Sequence, residues 1–316
     1  MDVLSLKSEF HHFVIKSMEL LRANYIYPEV AEDICGYLEH RMRDGYYFDA
    51  ETYEEFKELF DQDIQCINGD NHLHIWLQDE GADESEEMMD EYKRVAEKNN
   101  FGFHKVERLA GNIGYIDLRV FYDMNAVTEA SETAISVMNF VAHTDALIID
   151  LRKNIGGSAY MVALIASYLL KEPTHIESFY NRSENKTSQV WTQPYVPGKL
   201  YLDKPVFILT SMKTFSAGEL FAYALKHSGR ATIIGESTGG GAQPGNYHQV
   251  TPKLRLFIPS GKSISPFTGG NWEGQGVLPD YETSAEEALP IAHEKALKKI
   301  KEKYAGRTEY QFLFED

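Results

Sequence analysis

Cysteine is nearly absent: the 316 residues hold two, Cys35 and Cys66. Two thiols cannot build a disulfide framework or a thiolate zinc site. Both lie in apolar, helix-patterned stretches, so buried free thiols are expected. Basic residues are also in deficit, 31 against 48 acidic, leaving a formal net charge of −17. Such a chain repels phosphate backbones and anionic lipid, which argues against nucleic acid or a membrane surface as partner. No apolar run reaches the roughly 20 residues of a membrane span. The start, MDVLSLKSEFHHF, lacks a basic segment followed by an apolar one. No secretory signal is therefore read, and a cytoplasmic location is expected. What remains is 43% hydrophobic and 12% aromatic, enough core for one large domain or two modest ones.

The first part of the chain reads as helices. Phe10, Phe13, Val14, Met18 and Leu21 recur near helical spacing, Pro28 opens a second pattern, and a third runs from Tyr53 to Ile67. HLHIWL then alternates as a strand beginning at His72. The acidic run DEGADESEEMMDE reads as a solvated linker and divides a helical subdomain, residues 1–98, from a core, residues 99–316. Beyond it strands and helices alternate: a GFHKVERL/NIGYIDLRVF hairpin, a helix near 127–142, the apolar strand TDALIIDLR, the helix AYMVALIASYLL, strands to about Trp191, PVFILTS, a helix after Ser216, ATIIGES and a last amphipathic helix. That order is α/β with a largely buried sheet.

Four stretches carry candidate chemistry. In TFSAGELFA, Ser216 stands at a strand-to-helix junction with Glu219 three residues on, a capping-box spacing. A cap and a nucleophile are compatible there, because the first helical N–H groups face an incoming anion. TFSAG is one residue from the G-x-S-x-G elbow of α/β-hydrolases, but His227, His248 and His293 are poorly placed to follow it as the base. In GDNHLHIW, His72 follows a turn; His72 and His74 could be two metal ligands, but no third is marked, and no metal or other cofactor is expected. In IIDLRKNIGGSAY, Gly156 and Gly157 permit close backbone approach and half of an oxyanion hole. In GGNWEGQGVLPD, Glu273 sits in a turn-rich loop where a carboxylate could orient a histidine. GESTGGGAQPG lacks phosphate-loop spacing.

GDNHL, IIDLRKNIGG, TFSAGELFA, GESTGGGA and GVLPD, in that order, resemble the serine peptidases of the C-terminal-processing type. Within them the chain looks most like the branch with interphotoreceptor retinoid-binding protein modules and the tricorn protease core. The resemblance covers nearly the whole chain. It implies a crotonase-like α/β core behind an N-terminal helical subdomain, without a PDZ domain. It implies Ser216 as nucleophile, the Ala217 N–H as one oxyanion donor, and Gly156 or Gly157 as the other. The lysine base of the processing proteases has no counterpart in ATIIGESTGGGAQPG. His72 and Glu273 instead match the base and acid of the tricorn-type branch, with Asn71 where that branch has a relay serine. Arg152 and Lys153 are the candidates for a carboxylate clamp. The implied function is peptide-bond hydrolysis by acyl transfer on a peptide or unfolded protein. The runner-up is a binding module for a hydrophobic ligand or peptide, as in the retinoid-binding relatives. An oligomer is left open.

Overall fold

The computed structural model describes residues 3–78 and 87–314. Most of the acidic run read as a linker, residues 79–86, lies outside them. In chain order the helices are α1 (Val3–Asn24), α2 (Pro28–Arg43), α3 (Tyr53–Gln65), α4 (Glu87–Lys98), α5 (Glu129–Val141), α6 (Ala159–Ser167), α7 (Ala217–His227) and α8 (Ala288–Lys303). The strands are β1 (His74–Leu77), β2 (Phe103–Leu109), β3 (Ile113–Leu118), β4 (Ala146–Asp150), β5 (His175–Asn181) and β6 (Lys186–Trp191). They continue with β7 (Val206–Thr210), β8 (Thr232–Gly235), β9 (Gly245–Gln249), β10 (Leu254–Pro259), β11 (Gly261–Ile264) and β12 (Tyr281–Glu282). Two compact units share this chain: one comprises residues 1–88, 179–188 and 243–263, the other 89–178, 189–242 and 264–316.

The first unit is built on aromatic packing. The helical stripe of α1 buries Phe10, Phe13, Val14 and Leu21 completely. Phe10 stacks on Phe56 of α3 at 4.1 Å, and Phe13 meets Phe60 edge-on at 5.2 Å. Each such ring pair adds about 0.5–1.5 kcal/mol beyond its area. Thr52 caps α3 by accepting the Glu55 N–H at 3.1 Å. The helices cover a three-stranded antiparallel sheet, β1-β10-β9, in which Ile75 pairs with Leu256. Leu73 and Ile75, and opposite them Leu254, Leu256 and Ile258, alternate into the same core.

Two expectations need correction here. Cys35 is buried, but Cys66 is exposed. Helix α3 ends at Gln65, so Cys66 is its C-cap and falls off the buried stripe of Phe56, Phe60 and Ile64. Strand β1 begins at His74, not His72. His72 lies in the preceding turn, where its N–H bonds the Asp70 carboxylate instead of a strand.

The second unit holds a six-stranded sheet, β12-β8-β7-β4-β3-β2. All neighbours are parallel except the edge pair β2–β3. ALIID in β4 and VFILT in β7 are buried at every position, as expected of central parallel strands covered on both faces. Helix α8 lays Ala288, Ala292, Ala296 and Ile300 against Ile148 and Phe207, its small residues allowing close approach. A three-stranded sheet has the order β11-β5-β6. The expected mixed α/β core and helical N-terminal region are both present, and no PDZ domain is evident among the described residues. No helix among them is long and apolar enough to cross a membrane.

Candidate active site

At the C-terminal ends of the adjacent strands β4 and β7, the chain leaves the sheet in two loops that are laced together. The Thr214 hydroxyl donates to the Leu151 carbonyl at 2.8 Å, and the Ser211 hydroxyl to the Arg152 carbonyl at 2.6 Å. The Phe215 N–H reaches the Asn154 carbonyl at 3.0 Å. Asn154 is fully buried; its amide donates to the Leu118 carbonyl, and its side-chain oxygen accepts the Gly156 N–H at 2.9 Å.

Ser216 is the residue this lacing positions. Its backbone sits at φ 52°, ψ −118°, a conformation that costs a non-glycine residue of order 1–3 kcal/mol. Strain of this kind persists only where the surroundings over-determine it. A Cβ built on Gly156 would lie 2.8 Å from the Ser216 Cβ and 3.2 Å from the Ala217 nitrogen, so the Gly156 loop and the serine turn are in van der Waals contact. Only glycine fits there, and at φ 103° only glycine is unstrained.

The two glycines are now distinguishable. The Gly156 N–H is committed to Asn154, and its carbonyl accepts the Phe121 N–H. Among the described residues the Gly157 N–H makes no hydrogen bond, and neither does the Ala217 N–H at the start of α7.

Sequence reasoning missed how much Glu219 does. Its carboxylate accepts four hydrogen bonds: from the N–H groups of Ser216 (2.8 Å), Gly240 (2.7 Å) and Gly241 (2.9 Å), and from the Thr238 hydroxyl (2.5 Å). Thr238 in turn accepts the Val277 N–H at 2.6 Å. One buried side chain therefore joins TFSAGE to GESTGGGA and to GVLPD. The S-x-x-E spacing signalled the first of these bonds and none of the others. Burial pushes the Glu219 carboxyl up to about 7, against the pull of its four donors.

Glu273 joins the same network one residue along: the Ala242 N–H donates to its carboxylate at 2.6 Å. Consecutive backbone groups, Gly241 and Ala242, thus bring the Glu219 and Glu273 carboxylates together. Trp272 anchors that loop by donating its indole N–H to the Gly241 carbonyl at 2.8 Å. Of the two clamp candidates, Arg152 is occupied by Asp150 and the Ala285 carbonyl, whereas Lys153 is exposed.

His72 and Asn71 belong to the first unit. Asn71 is exposed in the turn. The His72 ring is 7% exposed and stacks on Phe257 at 5.8 Å. Burial, with the neighbouring His74 adding to it, lowers its pKa to about 4. The turn is held by Asp70, which accepts the His72 N–H at 3.0 Å and the Tyr25 hydroxyl at 2.8 Å. Among the described residues no group of three or more His, Cys, Asp or Glu could hold a metal ion.

Residues 112–283 match the family model described as Peptidase family S41, and residues 1–108 match the N-terminal domain of Peptidase S41 in eukaryotic IRBP. A carboxyl-terminal-processing protease of Synechocystis is 33% identical over 129 residues, 41% of this chain and 28% of that protein. A carboxy-terminal-processing protease of Bartonella bacilliformis is 28% identical over 198 residues, 58% of this chain and 41% of that protein. The chain thus spans less than half the length of these curated relatives. Among solved structures, a lipoprotein from Streptococcus agalactiae has a TM-score of 0.61 at 16% identity, covering 92% of this chain and 96% of that one. The tricorn protease has a TM-score of 0.60 at 15% identity, covering 94% of this chain and 37% of that one. At these identities the likeness is one of fold.

Proposed function

The chain belongs to Peptidase family S41, and we propose that it acts as a serine peptidase of the carboxyl-terminal-processing kind on peptide or unfolded protein substrates. The observation that carries the reading is the Ser216 turn: a strained serine pressed against Gly156, with the N–H groups of Ala217 and Gly157 making no hydrogen bond among the described residues. In this mechanism the Ser216 Oγ attacks a peptide carbonyl and His72 takes its proton. The Ala217 and Gly157 N–H groups stabilise the oxyanion, an effect worth about 10²–10³ in rate for a single donor. His72 then returns the proton to the leaving amine. Water enters and releases the acyl group by the same steps. Glu273 orients the imidazole and favours its charged form, and Asn71 stands in for a relay.

The test is a fluorophosphonate probe together with an assay on short and unfolded peptides. Wild type is expected to be labelled and active. Ser216→Ala should lose labelling, with activity down about 10⁴-fold or more. An unlabelled, inactive wild type would sink the reading. The match to an IRBP-type N-terminal domain supports a second one, a binding module. The first unit's cleft of about 410 Å³, lined by Phe179, Tyr180 and Pro244 together with Asn181, Glu184 and Lys186, is the candidate place for its ligand.

A further inference from the structure

The second unit has a cleft of about 350 Å³ at the N-terminal ends of β7 and β8, the opposite end of these strands from Ser216. Its charge is the reverse of the chain's. Arg230, Lys295, Lys298 and Lys299 line it, against one carboxylate, Glu302. In a protein with 31 basic and 48 acidic residues, a local surplus of cations is not an accident of composition.

The cations come from two elements. Lys295, Lys298 and Lys299 stand at i, i+3 and i+4 on α8, so they share one helix face. Arg230 rises from the turn into β8. Its Nε donates to the Leu169 carbonyl at 2.6 Å and one terminal nitrogen to the Tyr201 carbonyl at 2.5 Å. Carbonyls hold this half-buried guanidinium in place but do not neutralise it. Among the described residues Arg230, Lys295 and Lys298 make no ion pair; Lys299 makes a loose one with Glu302 at 3.7 Å. The Lys295 ammonium lies 3.4 Å over the Tyr281 ring, which fixes it at the cleft wall.

The helix C-terminus favours lysines on α8 by itself. It gives no reason for an arginine that faces them across a cavity with the Asp203 carboxylate near it but no ion pair among the described residues. The volume is within the range of small-molecule sites, whereas a lone structural ion pair needs no such space. We propose that this cleft binds a small, multiply charged phosphate-bearing anion, with Arg230 as the fixed contact and the three lysines as adjustable point charges.

The test is calorimetric titration of the full chain with tripolyphosphate at low salt, with sulfate at matched ionic strength as control. The expected result is saturable binding of tripolyphosphate that weakens as salt rises. A triple variant, Lys295→Gln, Lys298→Gln and Lys299→Gln, should bind at least about tenfold more weakly. These side chains are on the helix surface, whereas Arg230 ties two backbone carbonyls, so the lysine variant is the one that keeps its fold; its circular dichroism and melting temperature verify that. Ser216→Ala should bind as wild type does, which separates this site from the peptidase reading. Absence of saturable binding by wild type, equal binding by the triple variant, or equal binding of sulfate overturns the proposal. So does an Asp/Glu hexapeptide that binds here more tightly than tripolyphosphate.

Discussion

The Ser216 and His72 turns are each tied by a buried carboxylate, but their side chains are placed by different means. Ser216 is fixed by hydrogen bonds: the lacing of two loops through Asn154 and Thr214, and a buried carboxylate that collects four donors. The His72 backbone is tied by Asp70, but its ring is buried and stacked on Phe257. The first device stores strain and makes the position intolerant of a single added carbon. The second removes a titratable ring from water and so moves its pKa. In the proposed mechanism the nucleophile needs an exact direction and the base a chosen protonation state.

The largest effect that could break this contrast comes from Gly156→Ala. The new methyl would lie 2.8 Å from the Ser216 Cβ, so the turn must shift. A displacement of that order costs about 10²-fold in rate. Fluorophosphonate labelling should slow by that factor or more; an unchanged labelling rate would mean the turn is not over-determined. Next is Glu219→Ala, which leaves four buried donors unpaired. It should cost about 3–5 kcal/mol, read as a lower denaturant midpoint at an unchanged slope. Glu219→Gln should cost less, since it keeps an acceptor.

The two turns should also oppose each other in pH. The Glu219 pKa is raised from 4.5 to about 7, so the folded state binds more protons than the unfolded state between those values, and stability falls as pH rises through them. The His72 pKa is lowered from 6.5 to about 4, so the folded state binds fewer protons there, and stability rises with pH over that window. Each contribution is on the order of 3 kcal/mol. Their sum should be nearly flat in wild type. Glu219→Gln should leave a rise from pH 4 to 6.5, and His72→Phe a fall from pH 4.5 to 7; chemical denaturation across pH measures both. In the same picture the acid limb of kcat/KM lies below the ordinary histidine value near 6.5. The smallest effect is Tyr25→Phe, which removes the 2.8 Å bond to Asp70. About 1 kcal/mol of stability is expected to go, with peptidase activity changed less than threefold. A large loss of activity would mean that hydrogen bonds, and not burial alone, aim His72.

Much of this molecule was legible in its sequence where the information is local. Continuous apolar runs placed β4 and β7, and helix-like stretches placed α5, α6 and α7, to within a few residues, and the strand-glycine-glycine and T-x-S-A-G-E runs marked the loops that meet at Ser216. The illegible part is non-local. Nothing in HIWL says that its partner is LRLFIP, and in β10 the apolar Phe257 masks the alternation of Leu254, Leu256 and Ile258. The choice between Gly156 and Gly157 depended on an asparagine side chain folding back two residues, which spacing does not encode. Glu219 looked like a local cap because the donors that make it a hub, Thr238, Gly240 and Gly241, are distant in sequence.

The pairing of β1 with β10 has a consequence for biosynthesis. Ile75 leaves the ribosome 181 positions ahead of Leu256, the residue it will face. Throughout that interval the α1–α3 helices and β1 form a core lacking the strand that seals it, with a hydrophobic edge open to other nascent chains. A fragment ending before residue 243 would leave that edge uncovered permanently. The first unit is therefore finished late in translation, although it is begun first.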